Sequence, residues 1–450
     1  MKLSDLRAAL DSLGREPSKS LGQNFLHDQN VARAIVADID PQPGERIVEI
    51  GPGLGALTGF ALDSGASVTA IEKDGVLAEF LRDRFRGRDL EVIHADALDF
   101  DLRTLWPRQP VKILGNLPYN ISSQLIFHFT SALSPAQRCL FLVQREMGDR
   151  LRAAPGSADY GLPTVLLGRR WRMTEGRRLR PTVFLPEPKV DSALIDFTRR
   201  SPNELPPCDP ELFERIARAG FSQRRKQLRK MIELDLHDAS WPALAFTTGI
   251  SETARAEELS LPQWIALAQQ LAPLGAAQDA VAEIFDVVNE DDQVVGQAPR
   301  GEVHERQLRH RAVHIFIFNS AGEIFLQRRS AWKDQAPGCW GSSAAGHVDH
   351  GEDYRAAAVR ELDEELAVRD LPNAALDEWA TLPPTAGNGW EFVRLYRLRH
   401  EGPFRWPAAE VETGAFFPTN AVEGWMAVRP TDFSPGFQEC WAVARGLGLA

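Results

Sequence analysis

Short apolar runs rich in β-branched residues alternate with Ala- and Leu-rich stretches of helical spacing over residues 40–196. The first runs read RIVEI, SVTAI, LEVI and KIL, and glycine or polar residues follow each of them. Strands that alternate with helices are typical of a parallel sheet with helices on both faces. The pattern therefore predicts an α/β fold with a doubly wound, mainly parallel sheet.

The hydrophobic pattern changes twice further along the chain. Apolar residues recur at helical spacing in LFERIARAGF and LPQWIALAQQL, and Gly275-Ala276-Ala277-Gln278 then has the composition of a linker. Beyond it, EIFDVVNEDDQVVGQAPR and AVHIFIFNSAGEIFLQRR read as strands separated by turn residues. We predict an α/β domain at residues 1–200, a helical subdomain at 201–272, a linker at 273–282 and a second domain at 283–450.

Length and composition are those of a globular protein with more than one core. The 450 residues exceed the roughly 250–300 at which a single core stops growing. No apolar run approaches the roughly 18 residues of a membrane span, and MKLSDLRAAL lacks the apolar core of a signal peptide. Four scattered cysteines without metal-type spacing indicate a reducing compartment. We expect a cytoplasmic monomer without a membrane segment.

The net charge of −11 is distributed unevenly. Residues 1–270 hold 35 basic and 35 acidic residues, whereas residues 271–450 hold 16 and 27. Within residues 138–230 there are 20 basic and 11 acidic residues, a local charge of +9. Such a segment either forms a solvated surface or binds phosphate groups. Solvated surfaces usually mix both signs of charge, so the excess of basic residues favours nucleic-acid binding. The candidate phosphate-binding residues are Arg224, Arg225, Lys226, Arg229 and Lys230.

The segment KILGNLPYN (112–120) ends a predicted strand with Asn116-Leu117-Pro118-Tyr119. The Asn116 carbonyl and the backbone carbonyl before Pro118 can accept both hydrogens of an exocyclic amine, and the Tyr119 ring can stack on the base. Pro118 stiffens the turn and cannot donate a competing N–H. For so short a motif the alternative is a strand followed by a proline turn, but the sequence upstream favours an amine-binding site.

Three earlier strand ends carry the residues of a nucleoside cofactor site. Gly51 and Gly53 lie at a strand-to-helix turn, where glycine lets the backbone approach a ligand, although this turn also satisfies a dinucleotide fingerprint. Glu72, at the end of the next strand, is suited to ribose hydroxyls, and Asp96, at the third, to an adenine amine. Together with the motif at Asn116, these ends fit S-adenosylmethionine better than NAD.

At this point the chain resembles the small-subunit ribosomal RNA adenine dimethyltransferases. The resemblance runs from residue 19 to residue 271 through KSLGQNFLHD, EIGPGLGALT, GNLPYNISS, FLPEPKVDSA, FSQRRKQLRK and RAEELSLPQW. It implies a Rossmann-like class I methyltransferase that dimethylates two adjacent adenosines in the 3′-terminal hairpin loop of 16S rRNA in the small ribosomal subunit. It also implies that Tyr119 and Phe184 enclose the target adenine. The residues implied to contact S-adenosylmethionine are Asn24, Leu26, Gly51, Glu72, Asp96 and Asn116.

The C-terminal part carries a cluster of carboxylates. Gly346 is followed six residues later by Glu352, and RELDEE (360–365) comes after it. On a helix Glu361, Glu364 and Glu365 share one face, which is unfavourable unless a cation holds them. Oxygen ligands of this kind favour Mg²⁺ or Mn²⁺. A solvated acidic helix is the alternative, and the upstream glycine and glutamate argue against it.

These residues resemble the Nudix box, and residues 283–435 resemble a Nudix hydrolase domain, an α/β/α sandwich around a mixed sheet. The resemblance implies metal binding by Glu361, Glu364 and Glu365, orientation of a glutamate by Arg360, and hydrolysis of a nucleoside diphosphate derivative. Ala367 replaces the last glycine of the box, which concerns the loop after the helix.

The flanking sequence is closest to the branch that includes isopentenyl diphosphate isomerase. The isomerases have a catalytic cysteine where this chain has Ala345, and strand alternation would place Cys339 about 20 Å away. The chain is therefore predicted to be a hydrolase there and not an isomerase.

Two functional hypotheses follow. The first is a bifunctional enzyme, a methyltransferase fused to a Nudix hydrolase. The second is a ribosome-assembly factor whose Nudix part is a docking module. The complete motif at Asn116 and the complete glutamate set favour catalysis, because a binding module has no need of them.

Overall fold

A computed structural model describes residues 1–18, 20–108, 111–201, 204–236, 240–271, 283–333, 335–372 and 375–448. Lys19, where the family resemblance begins, and the predicted linker at 273–282 lie outside these ranges. The chain divides into two compact units, Met1–Leu205 with Glu214–Leu267, and Pro206–Phe213 with Ala268–Ala450. The domain boundaries predicted at residues 200, 272 and 282 stay predictions. Among the described residues, no helix combines the length and the apolar character needed to span a bilayer.

The first unit is built on a seven-stranded sheet. The strands of this unit are β1 Phe25–Leu26, β2 Arg46–Ile50, β3 Ser67–Glu72, β4 Leu90–His94, β5 Val111–Asn116, β6 Ala136–Gln144, β7 Trp171–Leu179, β8 Phe184–Leu185 and β9 Ser192–Arg199. The order in the sheet is β4-β3-β2-β5-β6-β9-β7; the first five strands are parallel, β9 is antiparallel to β6, and β7 is antiparallel to β9. The predicted doubly wound α/β sheet is therefore confirmed.

Helices cover this sheet and continue beyond it. On one face of the sheet the apolar core includes Val48, Ile113 and Phe141, and on the other face it includes Ile47 and Leu114. Successive residues of a strand point to opposite faces, so the side chains on both faces of the sheet are buried. The helices up to residue 271 are α1 Leu3–Ser12, α2 Gln29–Ile39, α3 Thr58–Asp63, α4 Gly75–Arg84, α5 Ser122–Phe129, α6 Arg145–Leu151, α7 Leu162–Gly168, α8 Pro210–Ser222, α9 Leu228–Met231, α10 Glu233–Leu236, α11 Trp241–Thr248 and α12 Leu261–Leu271.

The strand order places the candidate residues at one edge of the sheet. β2 lies between β3 and β5, so successive crossovers leave it in opposite directions and open a crevice at the carboxyl ends of the strands. A side-chain cap starts one of the helices at this edge: Asp74 accepts hydrogen bonds from the backbone N–H groups of Val76 and Leu77 and so begins α4. Ligand-binding residues are expected in this crevice.

The second unit contains a mixed sheet with helices on both faces. The strand β12 (His310–Phe318) is parallel to β17 (Glu391–Arg399) and antiparallel to β13 (Ile324–Arg329) and β15 (Ala344–His347). Ile315 belongs to the core that includes Leu362, a residue of the helix Tyr354–Leu366. The adjacent Phe316 contacts Phe437 on the opposite face, with ring centroids 5.4 Å apart. The predicted α/β/α arrangement is therefore observed.

The elements of this part are β10 Ile284–Val288, β11 Val294–Pro299, α13 Arg300–Glu305, β12 His310–Phe318, β13 Ile324–Arg329, β14 Trp340–Gly341, β15 Ala344–His347, α14 Tyr354–Leu366, β16 Asp377–Leu382, β17 Glu391–Arg399, β18 Val411–Phe417, α15 Thr419–Val428 and α16 Pro435–Gly446.

The predicted distance between Cys339 and Ala345 was derived from a strand that the structure does not contain. The structure separates Cys339, which precedes β14, from Ala345 in β15, so the single continuous strand from which their distance was reasoned does not exist. Ala367 ends α14 in the left-handed conformation, with φ of +54°. Glycine adopts this backbone conformation more easily than alanine, because an alanine Cβ crowds the backbone at positive φ. The structure therefore explains why the box has a glycine at this position.

Candidate functional sites

A cavity of about 260 Å³ opens at the carboxyl ends of β2, β3, β4 and β5. All six residues that the family resemblance assigns to the cofactor border it. They are Asn24, Leu26, Gly51, Glu72, Asp96 and Asn116. The fold therefore brings these six residues together, although they are up to 92 positions apart in the sequence.

The glycine turn after β2 forms one wall of the cavity. Gly51 and Gly53 have φ values of +62° and +59°, where a side chain is strained. At Gly53 an added Cβ would also lie 2.9 Å from the Phe25 ring. The Gly53 N–H donates to Glu72 Oε2 at 3.0 Å, and the Asp74 N–H donates to Glu72 Oε1 at 2.9 Å. These bonds fix the Glu72 carboxylate at the rim of the turn.

A second buried carboxylate, Glu49, was missed from the sequence. It is 2% exposed, borders the cavity and accepts a hydrogen bond from the Thr58 hydroxyl at 2.5 Å. Burial raises the pKa of Glu49 to about 7. Burial likewise raises the pKa of Glu72, against the backbone hydrogen bonds that lower it. A glutamate inside the apolar run RIVEI was the available signal, because buried carboxylates are rare without a partner or a role.

Asp96 at the end of β4 is held by two donors. Lys73 forms an ion pair with its Oδ2 atom, and the Leu98 N–H donates to Oδ1 at 3.0 Å. The Lys73 hydrogen bond is the main reason that the pKa of Asp96 lies below its ordinary value. Asp96 is therefore an ionised carboxylate. Its oxygens, which already accept from Lys73 and Leu98, can also accept a hydrogen bond from a ligand amine.

Asn116, the last residue of β5, has a fixed carboxamide. Its Nδ2 donates to the Asn24 backbone carbonyl at 2.8 Å, which leaves Oδ1 as the acceptor for a ligand. Leu117 and Pro118 also border the cavity, and the Leu117 N–H donates to the Leu142 carbonyl at 3.1 Å. The motif is therefore anchored on both sides and borders the cavity.

The two aromatic residues predicted to enclose adenine do not border this cavity. The hydroxyl groups of Tyr119 and Ser192 are hydrogen-bonded at 2.6 Å, and burial raises the pKa of Tyr119. Phe184 is 1% exposed because its strand, β8, pairs with β1 and places Phe184 opposite Leu26. Stacking of a base between these rings stays a prediction, and it requires Phe184 to become uncovered.

The predicted phosphate-binding residues are all exposed and lie between α8 and α9 or on α9. Arg225, Lys226 and Lys230 border one open pocket together with Arg255, which the sequence reasoning missed. Arg224 is different, because it forms an ion pair with Glu257 and donates to the Ser157 carbonyl at 3.1 Å. The pocket therefore combines four cationic side chains with one carboxylate, that of Glu258, whereas the charge of Arg224 is partly neutralised.

The carboxylate cluster of the second unit is packed against a glycine. At Gly346 an added Cβ would lie 1.9 Å from Glu361 Oε1, so only glycine admits this carboxylate. Arg360 donates to Glu361 at 2.8 Å, to Glu364 at 3.0 Å and to Glu352 at 3.0 Å. The arginine therefore holds three of the carboxylates in one arrangement.

Glu361 and Glu365 are buried, whereas the Glu364 side chain is 59% exposed. Glu365 accepts from Gln327 Nε2 at 2.9 Å and from the Ala345 N–H at 3.0 Å. Burial and the neighbouring Glu365 raise the pKa of Glu361 to about 8, and burial raises that of Glu365. Adjacent buried carboxylates with weakened ionisation fit a site for a divalent cation, which would restore their ionised forms.

Comparison with known proteins agrees with both motif sets. The family model described as ribosomal RNA adenine dimethylase matches residues 15–273, and that of the NUDIX domain matches residues 308–436. Ribosomal RNA small subunit methyltransferase A of Bordetella pertussis is 41% identical over 260 residues, which cover 57% of this chain and 95% of that protein. The protein of the same name from Leptothrix cholodnii is 41% identical over 275 residues, covering 59% and 98%.

Two solved structures are each similar to a part of this chain. The 23S rRNA methyltransferase ErmE has 25% identity and a TM-score of 0.46, and the match covers 55% of this chain and 99% of that one. DR0079 from Deinococcus radiodurans has 31% identity and a TM-score of 0.30, with 32% and 89% covered. The family matches confirm both resemblances drawn from the sequence.

Proposed function

The chain belongs to the ribosomal RNA adenine dimethylase family, and we propose on this premise that it dimethylates two adjacent adenosines in the 3′-terminal hairpin loop of 16S rRNA. The observation that carries the proposal is the Asn116 carboxamide, held by the Asn24 carbonyl at the edge of the cavity. S-adenosylmethionine would supply an electrophilic methyl group there. Asn24, Leu26, Gly51, Glu72 and Asp96 would bind it, because all of them border the same cavity.

The protein side chains then have to hold and orient the target amine. Before the first transfer Asn116 Oδ1 and the Leu117 carbonyl would accept the two amine hydrogens, and before the second transfer one of them would accept the hydrogen that remains, so that the nitrogen lone pair is directed at the methyl carbon. In each transfer the new nitrogen–carbon bond would replace the sulfur–carbon bond of the cofactor, and the amine would lose one proton. Extrusion of the base costs a few kcal/mol, and least in a loop, where stacking is weakest. Tyr119 and Phe184 would offset that cost by stacking on the base once Phe184, which is 1% exposed, is uncovered. Orientation of the two reacting atoms supplies most of the rate acceleration.

The Asn116→Ala variant tests this role. It removes the accepting oxygen and the bond to Asn24, so we expect methyl transfer to small ribosomal subunits to fall at least 100-fold. Asn30→Ala is the matched control, because Asn30 is an exposed amide near the start of α2. Incorporation of labelled methyl groups is measured for both variants, with thermal unfolding to verify their folds. Methylation by Asn116→Ala at the rate of the control would contradict the assignment.

For the second unit we propose a Mg²⁺- or Mn²⁺-dependent hydrolase of nucleoside diphosphate derivatives. Glu361, Glu364 and Glu365 would hold the ion, which would polarise a phosphate and activate water. Arg360 keeps Glu361 and Glu364 in place through bonds of 2.8 and 3.0 Å. Ala345 cannot transfer a proton to a double bond, which argues against isomerase chemistry.

Hydrolysis and methylation are to be assayed separately on the full-length chain. We expect magnesium-dependent release of phosphate or nucleotide, which is lost in Glu364→Gln while methylation is retained. Conversion of isopentenyl diphosphate to its dimethylallyl isomer would contradict the hydrolase assignment. Tight binding to the immature small subunit without either activity would instead support the assembly-factor hypothesis. The cytoplasmic location and monomeric state stay part of this proposal.

A further inference from the structure

Glu49 is a carboxylate in an apolar part of the first unit. It belongs to β2, where it is paired with Ala70 of β3 and with Leu114 of β5. Both of these neighbours are buried and belong to the apolar core that covers this face of the sheet. The residues that flank Glu49 on the two adjacent strands are therefore apolar, although Glu49 itself is only 2% exposed.

Thr58, at the start of α3, satisfies this carboxylate without supplying a positive charge. Its hydroxyl donates to Glu49 Oε2 at 2.5 Å. A hydroxyl can also accept, so the pair stays hydrogen-bonded when Glu49 carries a proton and donates to Thr58 Oγ1. Burial raises the pKa of Glu49 to about 7, and the negative charge of Glu72 raises it as well. Both protonation states of Glu49 are therefore populated near neutral pH.

Glu72, the neighbouring carboxylate, is held differently. Its two oxygens accept from the backbone N–H groups of Gly53 and Asp74 at 3.0 and 2.9 Å. A backbone N–H can only donate, so these bonds fit the ionised carboxylate. Burial raises the pKa of Glu72, but these backbone donors lower it. The hydrogen bonds therefore favour Glu49 as the carboxylate that changes its protonation state.

The cavity brings Glu49 close to any ligand that it holds. Glu49, Glu72 and Asp96 border the cavity together with Lys73, which is paired with Asp96. Met1 also borders it, and burial lowers the pKa of its amino group. Among the described residues, no lysine or arginine forms an ion pair with Glu49 or Glu72. A positively charged ligand therefore meets two carboxylates whose charge is not already neutralised.

Methyl transfer changes the charge of the cofactor. S-adenosylmethionine contains a positively charged sulfonium, and loss of its methyl group leaves S-adenosylhomocysteine with a neutral thioether. A cation in a site shielded from water favours the ionised form of a nearby carboxylate, because the Coulomb interaction is strong at a low dielectric constant. The cofactor and its product therefore differ in how strongly they favour ionised Glu49.

We propose that Glu49 distinguishes S-adenosylmethionine from its demethylated product by changing its protonation state. The protonated fraction of Glu49 releases its proton to solvent when the sulfonium binds, and Glu49 takes a proton up from solvent after the methyl group has left. Glu49 forms no covalent bond with the cofactor in either step. Cofactor binding therefore strengthens as pH rises, whereas product binding does not. This inference rests on the proposed methyltransferase function, since it requires S-adenosylmethionine to bind in this cavity.

Isothermal titration calorimetry of the full-length protein tests this proton exchange without any turnover. Titrations in two buffers with different ionisation enthalpies give the number of protons released per ligand bound. At pH 7 the wild-type protein should release about half a proton more with S-adenosylmethionine than with S-adenosylhomocysteine, because about half of Glu49 is protonated beforehand. The ratio of the product Kd to the cofactor Kd should rise by about three- to tenfold between pH 6 and pH 8.

The Glu49→Gln variant removes the titrating group, so it should abolish both the difference in proton release and the pH dependence of the Kd ratio. Glu79→Gln is the matched control, because Glu79 is an exposed carboxylate of α4 that does not border the cavity. This control should behave as the wild-type protein does. Thermal unfolding verifies the fold of both variants.

Infrared difference spectroscopy of the wild-type protein gives a measurement that does not depend on any variant. Binding of S-adenosylmethionine, but not of S-adenosylhomocysteine, should remove the C=O stretching band of a protonated carboxyl group. Equal proton release with the two ligands, an unchanged carboxyl band, or a difference that persists in folded Glu49→Gln would each overturn the inference and leave the proposed function intact. Failure of the wild-type protein to bind S-adenosylmethionine would overturn the proposed function and the inference with it.

Discussion

Replacement of Gly346 by alanine is the sharpest perturbation of the Nudix carboxylates. The new Cβ would lie 1.9 Å from Glu361 Oε1 and 2.1 Å from its Cδ, whereas ordinary contacts are 3.4–4 Å. The Glu361 carboxylate must therefore retreat by about 1.5 Å, since the Cβ is fixed to the backbone of β15. Retreat also strains the 2.8 Å bond from Arg360.

The size of the effect follows from this displacement. A misplacement of about 1 Å in a catalytic group can cost a factor of ~10² in rate. We therefore expect hydrolysis of nucleoside diphosphate derivatives by Gly346→Ala to fall at least 100-fold. Methyl transfer should be unchanged, because Gly346 and the methyltransferase residues belong to different compact units.

The assay measures magnesium-dependent phosphate or nucleotide release by the full-length protein, alongside methyl incorporation on the same preparation. Gly296→Ala is the matched control, because an added Cβ there meets nothing within 4 Å. Thermal unfolding of both variants separates a local effect from collapse of the domain. If folded Gly346→Ala hydrolyses as fast as Gly296→Ala, Glu361 does not have the proposed role.

Two further predictions concern the first unit. Because the folded pKa of Glu49 is raised to about 7, its contribution to stability is fully present below its ordinary pKa and is lost as pH rises from there through about 7. Urea unfolding should therefore show that the wild-type protein loses roughly 2.5 kcal/mol more stability between pH 5 and pH 8 than Glu49→Gln does, and equal pH dependence in both proteins would refute the prediction. Charge reversal at Arg225, Lys226, Arg229 and Lys230 should weaken RNA binding and flatten its salt dependence, since fewer counterions are released. Arg218→Glu, on the ion-paired face of α8, is the control, and an unaltered salt slope in the multiple variant would exclude these residues from the RNA interface.

Much of the methyltransferase site could be predicted, because the physics that places it is local and repetitive. Parallel strands end at one edge of a sheet, so Gly51, Glu72, Asp96 and Asn116, each at a strand end, had to meet. The Nudix box was equally accessible, since Glu361, Glu364 and Glu365 are neighbours on one helix by spacing alone.

What could not be predicted depends on contacts between distant segments. Phe184 is buried because β8 pairs with β1, and no local pattern indicates that pairing. The left-handed conformation of Ala367 could not be predicted from helix propensity, because alanine has the highest propensity for a right-handed helix. Three histidines that lie together, His304, His310 and His347, come from one helix and two strands. Their spacing in the sequence does not predict that they are close to one another.

The most direct test of the central claim is the position of the methyl groups on the RNA. Unmethylated small ribosomal subunits are incubated with the full-length protein and S-adenosylmethionine, and the 16S rRNA is digested and analysed by mass spectrometry. The account predicts two methyl groups on each of two adjacent adenosines in the 3′-terminal hairpin loop, and none with Asn116→Ala. Unmodified adenosines at these positions, or methylation elsewhere, would contradict it.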